Sequence, residues 1–170
     1  MKPRKGEFVV KGTIITSIKD AIAVSSQIIE SAEHDISWLI PPSFAVFAHS
    51  FSLTNKIKMF IQKGGRARGV TAISYFDIEE VRAALDTGQD VRHVGQYQEI
   101  FMLVNEKKES ISMINAGTED FSLETPIVAY WTDNPTYAEY LLSSFEIAWE
   151  QSTDAAKRIG ELSEQEPAQA

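Results

Sequence analysis

A change of hydrophobic period partway along the chain is the feature that most limits how it can fold. In the first half, apolar residues at helical spacing alternate with short continuous apolar runs. Between Val91 and Trp131, four strand-like runs follow one another with no helix between them, and a long amphipathic helix comes next. Alternating strands and helices followed by a meander predict one α/β domain whose mixed β-sheet is flanked by helices.

The predicted helices carry recognisable start and stop residues. Ser17, with Asp20 three residues later, approximates a capping box for the first helix, and Gly64 ends the second. Asn134 and Pro135 supply an N-cap and a first-turn proline to the last helix. The predicted strands are Ile36–Ile40, Ala67–Ser74, Val91–Val94, Gln98–Val104, Ser110–Asn115 and Ile127–Trp131.

The chain length fits one domain with two short ends. A chain of 170 residues is long enough to bury a substantial core, and no internal repeat or low-complexity linker divides it. We assign residues 1–15 to an N-terminal extension or edge strand and residues 16–156 to the α/β domain. We expect residues 157–170, which are polar and acidic, to be a frayed tail.

The charge balance argues against direct nucleic-acid binding. The formal net charge is -8, whereas affinity for nucleic acids depends on broad surfaces of Lys and Arg. One local cluster of basic residues departs from this acidic balance, and it consists of Lys56, Lys58, Lys63, Arg66 and Arg68. We favour a solvated helix end whose cations complement the helix dipole over an anion-binding patch.

Neither a membrane span nor a secretion signal is recognisable in the sequence. No apolar run approaches the roughly 18 residues that a transmembrane helix needs. The N-terminal residues MKPRKGEFVV are not followed by the apolar segment and cleavage site of a signal peptide. We therefore expect a cytoplasmic protein that does not bind membranes.

The residue types that commonly bind metals form no metal-binding motif in this sequence. The chain has no cysteine, and its three histidines, His34, His49 and His93, have neither HxH nor HExxH spacing. The sequence therefore predicts no metal site and no cofactor. For His93 we favour a half-buried histidine hydrogen-bonded at a strand end over a pocket residue.

The segment QYQEIFMLVNEKKESISMIN, from Gln96 to Asn115, resembles a catalytic half-site of the phospholipase D superfamily. That family's signature is His-x-Lys-x4-Asp on one strand and turn, then Gly-Ser-x-Asn on the next strand. The family histidine is the nucleophile, while the lysine and asparagine bind phosphate. Alignment of the run FMLV puts these histidine, lysine and aspartate positions at Gln98, Ile100 and Asn105, and the asparagine position at Asn115.

This alignment implies a degenerate active site. Gln98 and Ile100 supply neither the nucleophile nor the cation that phosphoryl transfer requires. No other His-x-Lys occurs in the chain. The resemblance therefore predicts a non-catalytic member of the superfamily, with no catalytic residue and no enzymatic activity. A divergent phosphodiesterase or nuclease is the alternative.

A later segment is similar to a particular branch of that superfamily. YWTDNPTYAEYLLSSFEIAWE, from Tyr130 to Glu150, looks like the closing strand and helix of the phospholipase D-like domains of TrmB-type archaeal transcriptional regulators. The similarity comprises the run Trp131–Pro135 and then Phe145 and Trp149, four residues apart. It implies a regulatory or sensor domain that is often dimeric. Because no winged helix precedes Ser17, the DNA-binding role of those regulators is not carried over.

The two resemblances together predict a signalling domain with a ligand or a protein partner. We expect a small molecule to bind where the family's active site would lie. The candidate ligand-binding residues are Gln98, Asn115, His93, Tyr97 and Trp131. The alternative is a pure protein-interaction module with an apolar dimer or partner surface. The expected protein partners are a second copy of the chain, forming a homodimer, and a signalling protein or transcription factor.

Overall fold

The computed structural model describes residues 11–41, 52–95, 100–106, 108–114 and 124–164. Its strands are β1 (Gly12–Ile15), β2 (Asp35–Leu39), β3 (Arg66–Thr71), β4 (Asp90–His93), β5 (Ile100–Asn105), β6 (Ser110–Ile114), β7 (Val128–Thr132) and β8 (Thr153–Asp154). Its helices are α1 (Ile18–Ser31), α2 (Leu53–Gln62), α3 (Ile78–Asp86), α4 (Pro135–Gln151) and α5 (Ala155–Glu164). A short 3-10 helix, Tyr75–Asp77, precedes α3.

The strands form one mixed sheet in the order β1-β7-β6-β5-β2-β3-β4-β8. Strands β2, β3 and β4 run parallel, as the helical connections between them require. Strand β5 pairs antiparallel with β2, and β6, β7 and β1 continue the antiparallel half. This arrangement confirms the predicted α/β fold with a mixed sheet flanked by helices. Within the described ranges, no helix is long and apolar enough to cross a membrane.

The two faces of the sheet pack against different helices. On one face, α1, α2, α3 and α5 bury their apolar stripes against residues such as Ile36, Phe101 and Ile111. On the opposite face, α4 buries Leu141 and Phe145 against Val70, Val104 and other strand residues. Because side chains alternate along a strand, β5 contributes to both clusters. The second face is the one that positions the candidate site.

The helix ends follow the signals in the sequence. The Ser17 hydroxyl accepts a hydrogen bond from the backbone N–H of Asp20 at 3.1 Å, which caps α1. At α4, Asn134 Oδ1 accepts from the backbone N–H groups of Thr136 and Tyr137 at 3.0 and 3.4 Å. Gly64, which follows α2, has a φ of 98°, a conformation that glycine adopts without steric cost.

The C-terminal region differs from the sequence expectation. Residues 157–164, which we expected to be frayed, belong to α5, and the short strand β8 precedes that helix. Ala155 and Ile159, four residues apart, are both buried and pack toward the main core. The Asp154 carboxylate accepts from the backbone N–H of Lys157 at 2.8 Å. A short apolar stripe and this cap therefore hold an otherwise polar helix against the sheet.

Candidate functional site at the edge of the sheet

A cavity opens where β2 and β4 end and β5 begins. Because β5 is antiparallel to β2, its first residue, Ile100, lies at the same sheet edge as Leu39, the last residue of β2. Pockets of open α/β sheets form outside such carboxyl ends. A cavity of about 220 Å³, here called the edge cavity, lies between this edge and α4.

The lining of the edge cavity is mainly apolar. The strand side supplies Leu39, Val94, Ile100 and Met102, and α4 supplies Leu141 and Ala148 among others. Ser144 and Gln151 add polar groups, although the Ser144 hydroxyl already donates to the backbone oxygen of Tyr140 at 3.2 Å. No charged side chain of the described residues lines the cavity. Such a lining suits an uncharged and largely apolar molecule.

The structure separates two of the predicted ligand-binding residues. Trp131 lies on β7 and His93 on β4, with β6, β5, β2 and β3 between them. Five steps of roughly 4.8 Å put these strands about 24 Å apart, too far to share one small ligand. The other predicted ligand-binding residues, Gln98, Tyr97 and Asn115, lie outside the described residues. Of the aligned motif positions, Ile100 lines the edge cavity.

His93 is held at the end of β4 by a backbone hydrogen bond. Its Nδ1 accepts from the backbone N–H of Ile73 at 2.9 Å, and the side chain is half-buried. This geometry confirms the prediction of a hydrogen-bonded histidine at a strand end. Burial lowers the pKa of His93 below its usual 6.5, the Arg158 guanidinium lowers it further, and the Glu161 carboxylate opposes them.

Asn105, the aligned aspartate position, lies at the far end of β5 from the edge cavity. Its side chain is 1% exposed, and Nδ2 lies 3.2 Å from the Ile28 backbone oxygen, 3.0 Å from Ser31 Oγ and 3.2 Å from Glu109 Oε2. Its Oδ1 accepts from the Glu109 backbone N–H at 3.0 Å. Asn105 therefore ties the β5–β6 turn to the end of α1, which is a structural role.

The basic residues around the end of α2 are largely paired with acids. Lys56 pairs with Glu30, and Arg66 Nε lies 2.7 Å from an Asp35 oxygen. Arg68 forms a two-contact pair with Glu146 at 2.6 and 3.2 Å, and its guanidinium also stacks on aromatic rings of α4. Three of the five basic residues are therefore neutralised by acids, which favours the interpretation as a helix end over an anion-binding patch.

Sequence reasoning missed the contribution of α4 to the cavity. The sequence predicted a long amphipathic helix after Asn134, but none of Ala148, Leu39 and Met102 was singled out as a ligand-binding residue. The available signal was the position of these residues near the ends of successive strands, but strand order is not readable from one sequence. Among the described residues, no group of three or more His, Asp or Glu is placed to hold a metal ion.

Solved structures of low sequence identity share this fold. The chain is similar to Nuc from Salmonella typhimurium, a phospholipase D family member, with a TM-score of 0.68, 13% identity, and coverage of 85% of this chain and 97% of Nuc. It is also similar to NucT from Helicobacter pylori, with a TM-score of 0.69, 14% identity, and coverage of 85% and 99%.

A third similar structure is TrmBL2, described as an archaeal chromatin protein with a novel mode of DNA binding. The TM-score is 0.65 at 14% identity, with 85% of this chain covered but only 54% of TrmBL2. The chain thus corresponds to about half of that protein. No family model matches the chain, and no curated protein matches it in sequence.

These similarities support the phospholipase D-like fold and correct one prediction. The prediction that the chain is not an enzyme is overturned, because its fold is shared with Nuc, a phospholipase D family member, and this fold leaves catalysis open. The prediction rested on local spacing around Gln98, Ile100 and Asn115, whereas catalytic groups are brought together by tertiary structure. The described part of the chain does not establish a degenerate site, since it excludes Gln98 and Asn115.

Proposed function

We propose that the chain is a regulatory or sensor domain with the phospholipase D-like fold, and that it binds a small, uncharged ligand in the edge cavity. The observation that supports this proposal is the position and lining of that cavity. It lies at the carboxyl ends of β2 and β4 and is bounded by apolar side chains of the sheet and α4. The aligned lysine position, Ile100, contributes an apolar wall there.

The size of the edge cavity limits the ligand. An apolar cavity of about 150 Å³ suffices for benzene, so about 220 Å³ admits a molecule of one or two rings. Tyr140 and Ile147, at 67% and 59% exposure, belong to the same lining and offer further apolar area to a ligand. Ser144 and Gln151 supply polar contacts that orient it.

We also propose that the protein acts as a homodimer in the cytoplasm. Ile14 and Val128 are 59% and 62% exposed. Ile14 pairs with Tyr130, two residues from Val128, so both side chains lie on the same face of neighbouring strands. Exposed apolar area of this kind suits a second copy or a signalling partner. The net charge of -8 does not favour direct binding to DNA.

Ligand binding is tested by filling the edge cavity. In Ala148→Leu the added carbons project from a lining residue, whereas in the control Ala23→Leu they project from an exposed position of α1. We expect the uncharged two-ring fluorescent dye 1-naphthol to bind saturably to the wild type and the control, and about tenfold more weakly to Ala148→Leu. Equal binding to both variants would refute the assignment of the cavity.

Native mass spectrometry of the purified protein, compared with the same sample denatured, tests the sensor and dimer proposals. A dimer with extra mass that is released on denaturation supports both. A bare dimer that also fails to bind the dye favours the alternative function, a protein-interaction module.

Phosphodiester hydrolysis is the second candidate function, because a phospholipase D family member has this fold. The assay is turnover of bis-p-nitrophenyl phosphate by the wild type and by Gln98→Ala. Turnover that is lost in Gln98→Ala places catalysis at the aligned nucleophile position. Turnover that persists in the variant would support phosphodiesterase activity but would reject the alignment of Gln98 with the nucleophile position. Displacement of the dye by this substrate would place both activities in the edge cavity.

A further inference from the structure

A second cavity lies on the opposite face of the sheet from the edge cavity. It has a volume of about 60 Å³ and is enclosed by α1, α2 and α3 on one side and by β2, β4 and β5 on the other. We call it the inner cavity. Its apolar lining includes Ile29, Ile57, Val81, Ala84, Phe101 and Leu103.

Three hydrogen-bond donors in the wall of the inner cavity are already engaged. The Trp38 indole N–H donates to Gln89 Oε1 at 3.0 Å, and Gln89 Nε2 donates to Thr87 Oγ1 at 3.0 Å. The Ser25 hydroxyl donates to the backbone oxygen of Ala21 at 2.8 Å. These hydrogen bonds therefore stabilise the wall of the cavity, and the donors are not bonded to other acceptors that line it.

Glu80 is the lining residue whose hydrogen bonding is incomplete. Its Oε2 is buried and has no hydrogen-bond partner among the described residues. A buried carboxyl oxygen without a donor is costly, and such groups in native proteins are normally satisfied by a partner. Glu80 lies in the first turn of α3, where the helix dipole favours a negative charge. The cavity thus combines an apolar wall with one acceptor that lacks a donor.

We propose that the inner cavity binds a small organic ammonium ion, whose N–H groups donate to Glu80 and whose alkyl part fills the apolar wall. A cavity of about 150 Å³ holds the six carbons of benzene, so about 60 Å³ accommodates two or three non-hydrogen atoms. This size corresponds to methylamine or ethylamine. No basic side chain of the described residues lines the cavity, so the ligand supplies the positive charge. The proposal does not depend on the edge cavity or on its ligand.

Glu80 also borders a surface groove, which provides a route of entry. The groove has a volume of about 350 Å³ and is lined by Tyr75, Phe76 and Glu79 among other residues. Phe76 is 89% exposed and Tyr75 is 50% exposed. Aromatic faces and carboxylates both attract organic cations, so this surface suits the approach of an ammonium ion.

Ethylamine hydrochloride is the probe, and acetate, which has a similar size but the opposite charge, is the matched control. A ligand of about three non-hydrogen atoms binds at best with a Kd near the millimolar range, so the titration extends to about 50 mM at constant ionic strength. Binding is measured from the methyl resonances of Val81 and Ala84 in NMR spectra. We expect saturable shifts with the amine and none with acetate.

Three variants test the role of the carboxyl group. Glu80→Gln preserves side-chain shape, Glu150→Gln makes the same change at an exposed position of α4, and Ala84→Leu fills the cavity. We expect affinity to fall about tenfold or more in Glu80→Gln and to stay unchanged in Glu150→Gln. Ala84→Leu should also lose binding. If Ala84→Leu does not fold, Glu80→Gln alone tests the proposal.

Three results would overturn the proposal. They are equal amine affinity in Glu80→Gln and the wild type, equal shifts with acetate, and the absence of saturable shifts up to the highest concentration. The last result would mean that water alone satisfies the Glu80 oxygen.

Discussion

Replacing Asn105 with aspartate should destabilise this protein, although an aspartate stands at the aligned position of the phospholipase D signature. The Asn105 side chain is 1% exposed, and its Nδ2 lies near three acceptors, one of which is a Glu109 carboxylate oxygen at 3.2 Å. Asn105→Asp replaces this donor with a second acceptor. The hydrogen bonds to Ile28 and Ser31 lose their amide donor as well.

The size of the effect follows from these distances. Two unit charges 3.2 Å apart repel by about 1 kcal/mol in water and about 5 kcal/mol at an effective dielectric constant of 20. Because Asn105 is buried and Glu109 is half-buried, we expect a loss of about 3 kcal/mol in the free energy of unfolding at pH 7. The exposed control Asn55→Asp should change it by less than about 0.5 kcal/mol.

The dependence on pH distinguishes charge repulsion from a general packing defect. Repulsion raises the pKa of Asp at position 105 in the folded state above its unfolded value of about 3.9. The deficit is therefore complete above the raised folded pKa and disappears below about pH 4, where the protonated carboxyl donates to Glu109. The assay is urea denaturation of the variant and wild type between pH 4 and 7. A deficit that is absent, or equal at both ends, would refute this reasoning.

Two further predictions concern His93 and Gly69. Because the pKa of His93 is lowered in the folded state, this residue contributes stability above its unfolded pKa of about 6.5, and the contribution is lost as pH falls toward the folded pKa. Urea denaturation measures the free energy of unfolding at pH 7.5 and at pH 5.5. The difference between these two free energies should be smaller in His93→Gln than in the wild type. Equal differences would show that His93 does not contribute. Gly69→Ala should lower the free energy of unfolding by about 1–3 kcal/mol, because its Cβ would collide with the Trp38 ring, whereas Gly95→Ala, with open space around it, should be nearly neutral in thermal unfolding.

The local rules were sufficient for four of the five described helices and for most of the described strands. The caps at Ser17 and Asn134 depend on residues within three positions of each other, so the chain itself specifies them. Strand β8 and helix α5 were not predicted, because contacts with distant elements stabilise them. Ile159 is a weak apolar signal in a charged segment, and only the neighbouring core makes its burial favourable.

The candidate site was much less accessible to sequence reasoning. Spacing along β5 suggested that Ile100 and Asn105 belong to one functional unit, yet six residues of extended chain place them at opposite ends of a strand. Asn105 proved to be a structural amide, and Ile100 a wall of the edge cavity. The resemblance placed His93 and Trp131 together where the family's active site would lie, and the strand order separated them.

The sequence by itself determined the periods of the helices and strands, the caps that bound them and the α/β class, because these depend on neighbours close along the chain. The tertiary structure decided the strand order, and with it which residues meet at the edge cavity and which surround the inner cavity. It also decided that the Glu80 oxygen is buried without a donor. The physical reason is that cavities and buried charges arise from contacts between distant segments, whose pairing no local pattern encodes.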